Sequence, residues 1–192
     1  KNTCFRSGRT TQLGCSGSFD IPVGSGAMLN AICKGFEELH EFGFVEDISN
    51  LRITAAQPHG CAPIVNAFKR HDSDIVPIER PETIAKSLAI GDPGDGMYVL
   101  RRLKQYRGVA EEATDAEIVD GILMLARTEG IFTEPAGGVS VAVLKKLVED
   151  GTIERDEKVV CYVTGNGLKS PEAIADKPVS YTHLTLPTTS RV

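Results

Sequence analysis

The sequence predicts an α/β domain, and three observations carry that prediction. Between residues 21 and 174, short apolar runs with strand character alternate with stretches whose apolar residues recur at helical spacing. Two glycine turns, Gly24-Ser25-Gly26 and Gly165-Asn166-Gly167, each follow directly on a strand-like run. The chain has 192 residues and is 41% hydrophobic, enough for one globular domain with a sizeable core.

The elements follow in order. Ile21-Pro22-Val23 closes a strand, and beyond the glycine turn Met28, Leu29, Ile32, Phe36 and Leu39 repeat with the period of a helix starting at Ala27. Residues 51–57 (LRITAAQ) read as a strand and 62–70 as a helix. Residues 81–89 begin like a helix, with Pro81 in the first turn. Residues 91–96 (GDPGDG) are dense in turn formers and read as a loop. A basic amphipathic helix at the surface follows over 97–106, then an edge strand over 108–112. Thr114 is placed to cap a helix with Glu117 as its capping-box partner, and that helix runs through Ile118, Ile122, Leu123 and Leu125 to about Thr128. A last helix over 136–150 stops at Gly151, which suits a left-handed terminus. Residues 158–163 (KVVCYV) read as a buried strand leading into Thr164-Gly165-Asn166-Gly167.

Charge and cysteine usage exclude several function classes. The net charge is −5 with both signs spread along the chain, so no basic stripe offers itself to nucleic acid. Cys4, Cys15, Cys33, Cys61 and Cys161 form no C-x-x-C pair and are odd in number. They read as reduced thiols of a cytoplasmic protein, without a disulfide framework or a metal site. No apolar run reaches the length of a membrane span, so no membrane partner is expected. The ends break the pattern. Residues 1–20 are expected to be a doubtful segment, perturbed by a frame error, and the chain opens on Lys1 without a natural start. The domain proper is expected over 21–177. The tail 178–192 resembles the conceptual translation of a sequencing adapter and is expected to be non-native.

Two segments invite chemistry. In Gly24-Ser25-Gly26-Ala27-Met28, small residues let the backbone approach a ligand, and the first N–H groups of the following helix point outward with partial positive charge. A phosphate suits such a turn. The Rossmann pattern fails, because Leu29 stands where its third glycine would be, and no Walker lysine follows. Alone, the segment reads also as a tight turn holding no ligand. The second segment places Thr164 at the carboxyl end of a strand, where open α/β sheets bind ligands; alone, it reads equally as an Asn-Gly turn. His59 beside Cys61 reads as no catalytic pair, and His40 and His71 read as solvated. Glu134 either faces a ligand or simply starts a helix, and the acids at 111–117 read as a helix entrance.

Together the two turns resemble the large domain of the fold-type II pyridoxal-phosphate enzymes, whose fold is a three-layer open twisted sheet of the tryptophan synthase β-like kind. The resemblance implies pyridoxal 5′-phosphate as cofactor. Its phosphate would be cradled by the backbone of Gly24, Ser25, Gly26, Ala27 and Met28, and its pyridine nitrogen would be offered the hydroxyl of Thr164. A neutral hydroxyl there implies a less protonated ring and a tempered electron sink. Gly60-Cys61-Ala62-Pro63-Ile64, the run from Ile84 to Pro93, the run from Glu129 to Gly138, and Leu168-Lys169-Ser170-Pro171 are similar to threonine synthases in particular.

The family's chemistry would be conversion of O-phospho-L-homoserine and water to L-threonine and phosphate, so the implied partner is a small phosphorylated amino acid. A homo-oligomer is compatible with the family, although no residue selects one. Threonine dehydratase and cysteate synthase are the same-class alternatives, and a lysine-less, non-catalytic binding domain is the alternative of another class. Ile90-Gly91-Asp92-Pro93 favours threonine synthase. Two departures stand out. Ala27-Met28 replaces an asparagine that many relatives carry, and the chain contains no Ser-Phe-Lys-Asp-like segment with the cofactor-bonding lysine. No catalytic residue is therefore assigned, and the chain alone is expected to be inactive.

Overall fold

The computed structural model describes residues 17–175, together with the backbone of two short strands, β1 (Phe5–Arg6) and β2 (Leu13–Gly14), which pair antiparallel. The tail 178–192 and most of the segment before residue 17 lie outside the described residues. From there the order is β3 (Gly17–Pro22), α1 (Ala27–Glu41), β4 (Leu51–Pro58), α2 (Pro63–Lys69), α3 (Gly96–Gln105), β5 (Val109–Ala113), α4 (Asp115–Glu129), α5 (Pro135–Glu149) and β6 (Val159–Cys161). The last four strands form one parallel sheet in the order β5-β4-β3-β6.

Strand alternation splits the core into two layers. Phe19 and Ile21 of β3, with Leu51, Ile53 and Ala55 of β4, pack against Leu29 and Cys33 of α1, Ile64 and Val65 of α2, and Val99 and Leu103 of α3. Ala56 and Ala113 face the other way, toward Ile118 and Ile122 of α4 and Val139, Val143 and Leu147 of α5. Helices thus cover both faces, which is what parallel strands require. The chain moves outward from β3 through β4 to β5, then returns past β3 to add β6 on the other side. That reversal puts a switch point between β3 and β6, and ligands of such sheets sit at the carboxyl edge there.

Local signals set most boundaries. Thr114 Oγ1 accepts from the Glu117 N–H and the Glu117 carboxylate accepts from the Thr114 N–H, the reciprocal box read from sequence. Gly151 has φ of 79° just past α5. Three expectations are corrected. Residues 81–89 are no α-helix; only Lys86–Leu88 makes a 3₁₀ turn. Tertiary ties hold this stretch open: the Glu82 N–H donates to the Gly60 carbonyl (3.1 Å) and Thr83 Oγ1 donates to Asp115 (2.8 Å). The expected buried strand over 158–163 is three residues long and only half-buried, because among the described residues β6 has a neighbour on one side alone. The first long strand starts at Gly17, inside the segment 1–20 that is expected to be doubtful.

Asp20 breaks the apolar logic of β3. It is wholly buried on the face opposite Phe19 and Ile21. Among the described residues its Oδ2 meets only the Cys161 thiol (3.7 Å), and its Oδ1 has no partner. Burial pushes its carboxyl well above the usual carboxylate range. The folded state therefore binds a proton that the unfolded state releases above about pH 4, so stability falls as pH rises past that point. Asp20→Asn is expected to gain about 1–2 kcal/mol at pH 7 and nothing near pH 3, as read by urea denaturation at both values.

Candidate functional site

The turn after β3 is held from beneath. The Val23 N–H donates to the Ala56 carbonyl (2.8 Å), and the Gln57 side chain reaches across from β4 to the Val23 carbonyl (3.2 Å). Gln57 Oε1 also accepts from the N–H groups of Ile64 (2.9 Å) and Val65 (3.1 Å) at the start of α2. One buried amide thus ties the glycine turn to the next helix. The loop preceding α3 braces the other side: the Asp95 N–H donates to the Ser25 carbonyl (3.1 Å), and Asn30 Nδ2 donates to the Asp95 carbonyl (3.2 Å). Gly26 caps α1 with φ of 99°, and a Cβ there would meet Val99 Cγ2 at 2.7 Å.

The outer side of this turn is open. Ala27 and Met28 are exposed. The Ala27 N–H reaches the Ser25 hydroxyl at 3.3 Å, and among the described residues no acceptor takes the N–H groups of Gly26, Met28 and Leu29. The first turn of α1 contains no acid, so its partial positive charge is uncompensated.

Thr164 lies beside this turn. Asp20 and Cys161 are register partners in β3 and β6, and three residues on from each stand Val23 and Thr164. Neighbouring strands run about 5 Å apart, so the two turns leave one edge side by side. Thr164 is exposed, and its Oγ1 donates to Glu134 Oε1 at 3.0 Å. Glu134 Oε2 pairs with the Lys169 ammonium at 3.1 Å. Glu134 is 8% exposed, and although it stands at the N-cap of α5 its side chain caps no helical N–H. A Cβ at Gly165 would meet the Glu134 carboxylate at 2.5 Å, so only glycine lets the two segments close. The Glu134 N–H and Thr133 Oγ1 both donate to the Gly165 carbonyl (3.0 and 3.2 Å), locking the start of α5 to the turn.

The structure therefore brings together all six residues that the sequence singles out: Gly24, Ser25, Gly26, Ala27, Met28 and Thr164 line one edge. Sequence reasoning missed Gln57, carried Lys169 only as part of a stretch similar to threonine synthases with no role of its own, and left Glu134 undecided between a ligand and a helix start. Their partners are remote in sequence, so no local pattern gives their contacts. Other candidates separate. His59 is exposed and faces Glu112 at 3.4 Å, while Cys61 is buried with its thiol pushed up by desolvation, so they make no nucleophilic pair. Cys33, Cys61 and Cys161 are free thiols, whereas Cys4 and Cys15 lie outside the described residues. Among the described residues no acidic or histidine cluster is placed to hold a metal, and no helix is long and apolar enough to cross a membrane. A cavity of about 660 Å³ lies elsewhere, where Phe68, Met97, Arg101 and Arg107 meet between α2 and α3. Its wall includes Gly108, directly before β5, which places it at the opposite edge of the sheet.

Residues 11–165 match the model of the pyridoxal-phosphate dependent enzymes. The chain belongs to that family. Within it, the chain is 45% identical to the threonine synthase of Methanocaldococcus jannaschii over 153 residues, 80% of this chain and 37% of that protein. It is 37% identical to the threonine synthase of Mycobacterium bovis over 159 residues, 82% and 41% of the two chains. The chain thus spans about two-fifths of the length of these curated relatives. Among solved structures, the PLP-bound threonine synthase from Brucella melitensis superposes with a TM-score of 0.60 at 14% identity, covering 83% of this chain and 37% of that one. A fungal L-serine ammonia-lyase from Rhizomucor miehei superposes at 0.65 and 21% identity, over 82% and 49%. Those structural likenesses establish the shared fold, the open parallel sheet of fold-type II pyridoxal-phosphate enzymes.

Proposed function

We propose that this chain is the large-domain part of a threonine synthase, which converts O-phospho-L-homoserine and water to L-threonine and phosphate with pyridoxal 5′-phosphate. The observation that carries the reading is the pair of turns at the carboxyl edge of β3 and β6, in a chain 45% identical to a threonine synthase over most of its length. The backbone of Gly24, Ser25, Gly26, Ala27 and Met28 would hold the cofactor phosphate, and its free N–H groups and uncompensated helix start suit that charge. Thr164 would meet the ring nitrogen. Bound there, the cofactor supplies an electron sink for charge developing on the substrate carbons.

This chain's residues orient and anchor; none of them is assigned the proton transfers, which belong to the family's cofactor-bonding lysine. Without a Ser-Phe-Lys-Asp-like segment the chain by itself is inactive in this reading. The substrate is a phosphorylated amino acid, and the free cysteines suit a cytoplasmic setting.

Complementation tests the activity. The complete gene carrying this sequence is expected to restore growth without threonine to a bacterium lacking threonine synthase. Rescue only of an isoleucine auxotroph lacking threonine dehydratase would replace the proposal with that activity.

A further inference from the structure

The cavity of about 660 Å³ between α2 and α3 lies away from the carboxyl edge and has the size of a small-molecule site. Phe68, Met97, Leu100 and Leu103 give it an apolar floor, and Arg101, Lys104 and Arg107 stand exposed around it. Among the described residues none of these three cations has a carboxylate partner. Arg101 lies over the Tyr98 ring, 5.5 Å from its centroid, and Arg107 Nη2 donates to the Ser49 carbonyl (3.2 Å). The acid in the wall, Asp72, is already paired with Arg70 (2.7 Å).

The backbone points to the same place. Among the described residues the non-glycine positions with positive φ are His71 (57°) and Arg107 (47°), and both line this cavity. Each stands just past the cap of its helix, α2 or α3, where glycine would sit without strain. The helix ends do not need these side chains: the Phe68 carbonyl accepts from the His71 N–H (3.0 Å) and the Leu103 carbonyl from the Gly108 N–H (2.7 Å). Strain kept at two such positions around one cavity marks side chains with a use.

We infer that this cavity binds a small organic anion with an apolar body, its carboxylate or phosphate taken by the guanidinium groups of Arg101 and Arg107 and its body laid on Phe68 and Met97. A guanidinium keeps its charge and presents paired N–H donors that match either oxyanion. An inorganic anion would leave the apolar floor uncovered, and a neutral apolar molecule would leave the cations unmatched. The inference is independent of the cofactor reading, which concerns the other edge of the sheet.

The test is amide chemical-shift titration of the ¹⁵N-labelled chain with hydrocinnamate, benzyl phosphate, hydrocinnamyl alcohol and inorganic phosphate. Hydrocinnamate or benzyl phosphate is expected to give saturable changes centred on Phe68, Met97, Arg101 and Arg107, and the stronger of the two identifies the oxyanion. The alcohol and inorganic phosphate are each expected to bind about tenfold more weakly or not at all. Arg101→Met is expected to weaken the anion about tenfold. Arg107→Gly is expected to do the same without lowering the urea midpoint, because glycine relieves the backbone. Equal binding of the alcohol, or Arg107→Gly binding as wild type does, overturns the inference. So does the absence of saturable change at the cavity with both organic anions. Changes at Gly24 to Met28 alone would place the anion at the carboxyl edge and overturn it equally.

Discussion

Replacing Gln57 by leucine is expected to destabilise the fold by about 3–5 kcal/mol, because three buried backbone groups lose their only side-chain partner. The side chain is completely buried, donates to the Val23 carbonyl and accepts from the Ile64 and Val65 N–H groups. Leucine fills the volume but can neither donate nor accept, and the side chain it replaces is fully buried. Each unsatisfied buried group costs about 1–3 kcal/mol, with some relief from relaxation of the short helix α2. Urea denaturation should show the midpoint falling with an unchanged slope. Gln57→Glu discriminates the two halves of the role. The carboxylate still accepts from α2, but its other oxygen faces the Val23 carbonyl unless protonated. The glutamate variant should therefore recover stability as pH falls, which the leucine variant should not. A loss below about 1 kcal/mol for leucine would mean that the amide is not the tie between the two segments.

A second large effect is expected at Ala27. This residue is exposed at the first position of α1, where the helix start carries no acid. Glutamate there is favourable to the helix itself, by about 0.3–1 kcal/mol. Toward a phosphate held by the turn it is a like charge, costing about 1–3 kcal/mol at roughly 5 Å. Ala27→Glu should weaken binding of pyridoxine 5′-phosphate about tenfold or more while leaving thermal stability equal or slightly higher, measured by equilibrium dialysis and calorimetry. The opposite signs separate loss of a ligand site from loss of fold. Equal binding by variant and wild type would place the phosphate away from α1.

What the sequence discloses and what it withholds follow from the range of the forces involved. The capping box at Thr114 and Glu117 is complete within four residues, and it was legible because nothing distant opposes it. Both glycine turns were legible for the same reason. By contrast, Pro81 and the residues after it carry a helix-like start, yet Gly60 and Asp115 hold that stretch extended through contacts made across the fold. Gly60 and Gly91 belong to stretches similar to threonine synthases, and the structure gives them a packing reason. A Cβ on either would lie within 2 Å of a carbonyl, that of Glu82 (1.7 Å) or of Ile78 (1.9 Å). The burial of β6 was overestimated because its apolar run does not say how many neighbours the strand will have. At the edge, the six residues expected to bind the cofactor come from two local turns, whereas Glu134 and Lys169 meet Thr164 only through the junction of α5 with the last turn. A contact of that kind has no periodicity to betray it.

The most direct test of the account is amide chemical-shift mapping of the ¹⁵N-labelled chain during titration with pyridoxine 5′-phosphate. The account predicts saturable changes concentrated at Gly24, Ser25, Gly26, Ala27 and Met28, with a second focus at Thr164. Changes confined to the α2–α3 cavity around Phe68, Arg101 and Arg107, or no saturable change at all, would contradict the assignment of the carboxyl edge as the cofactor site.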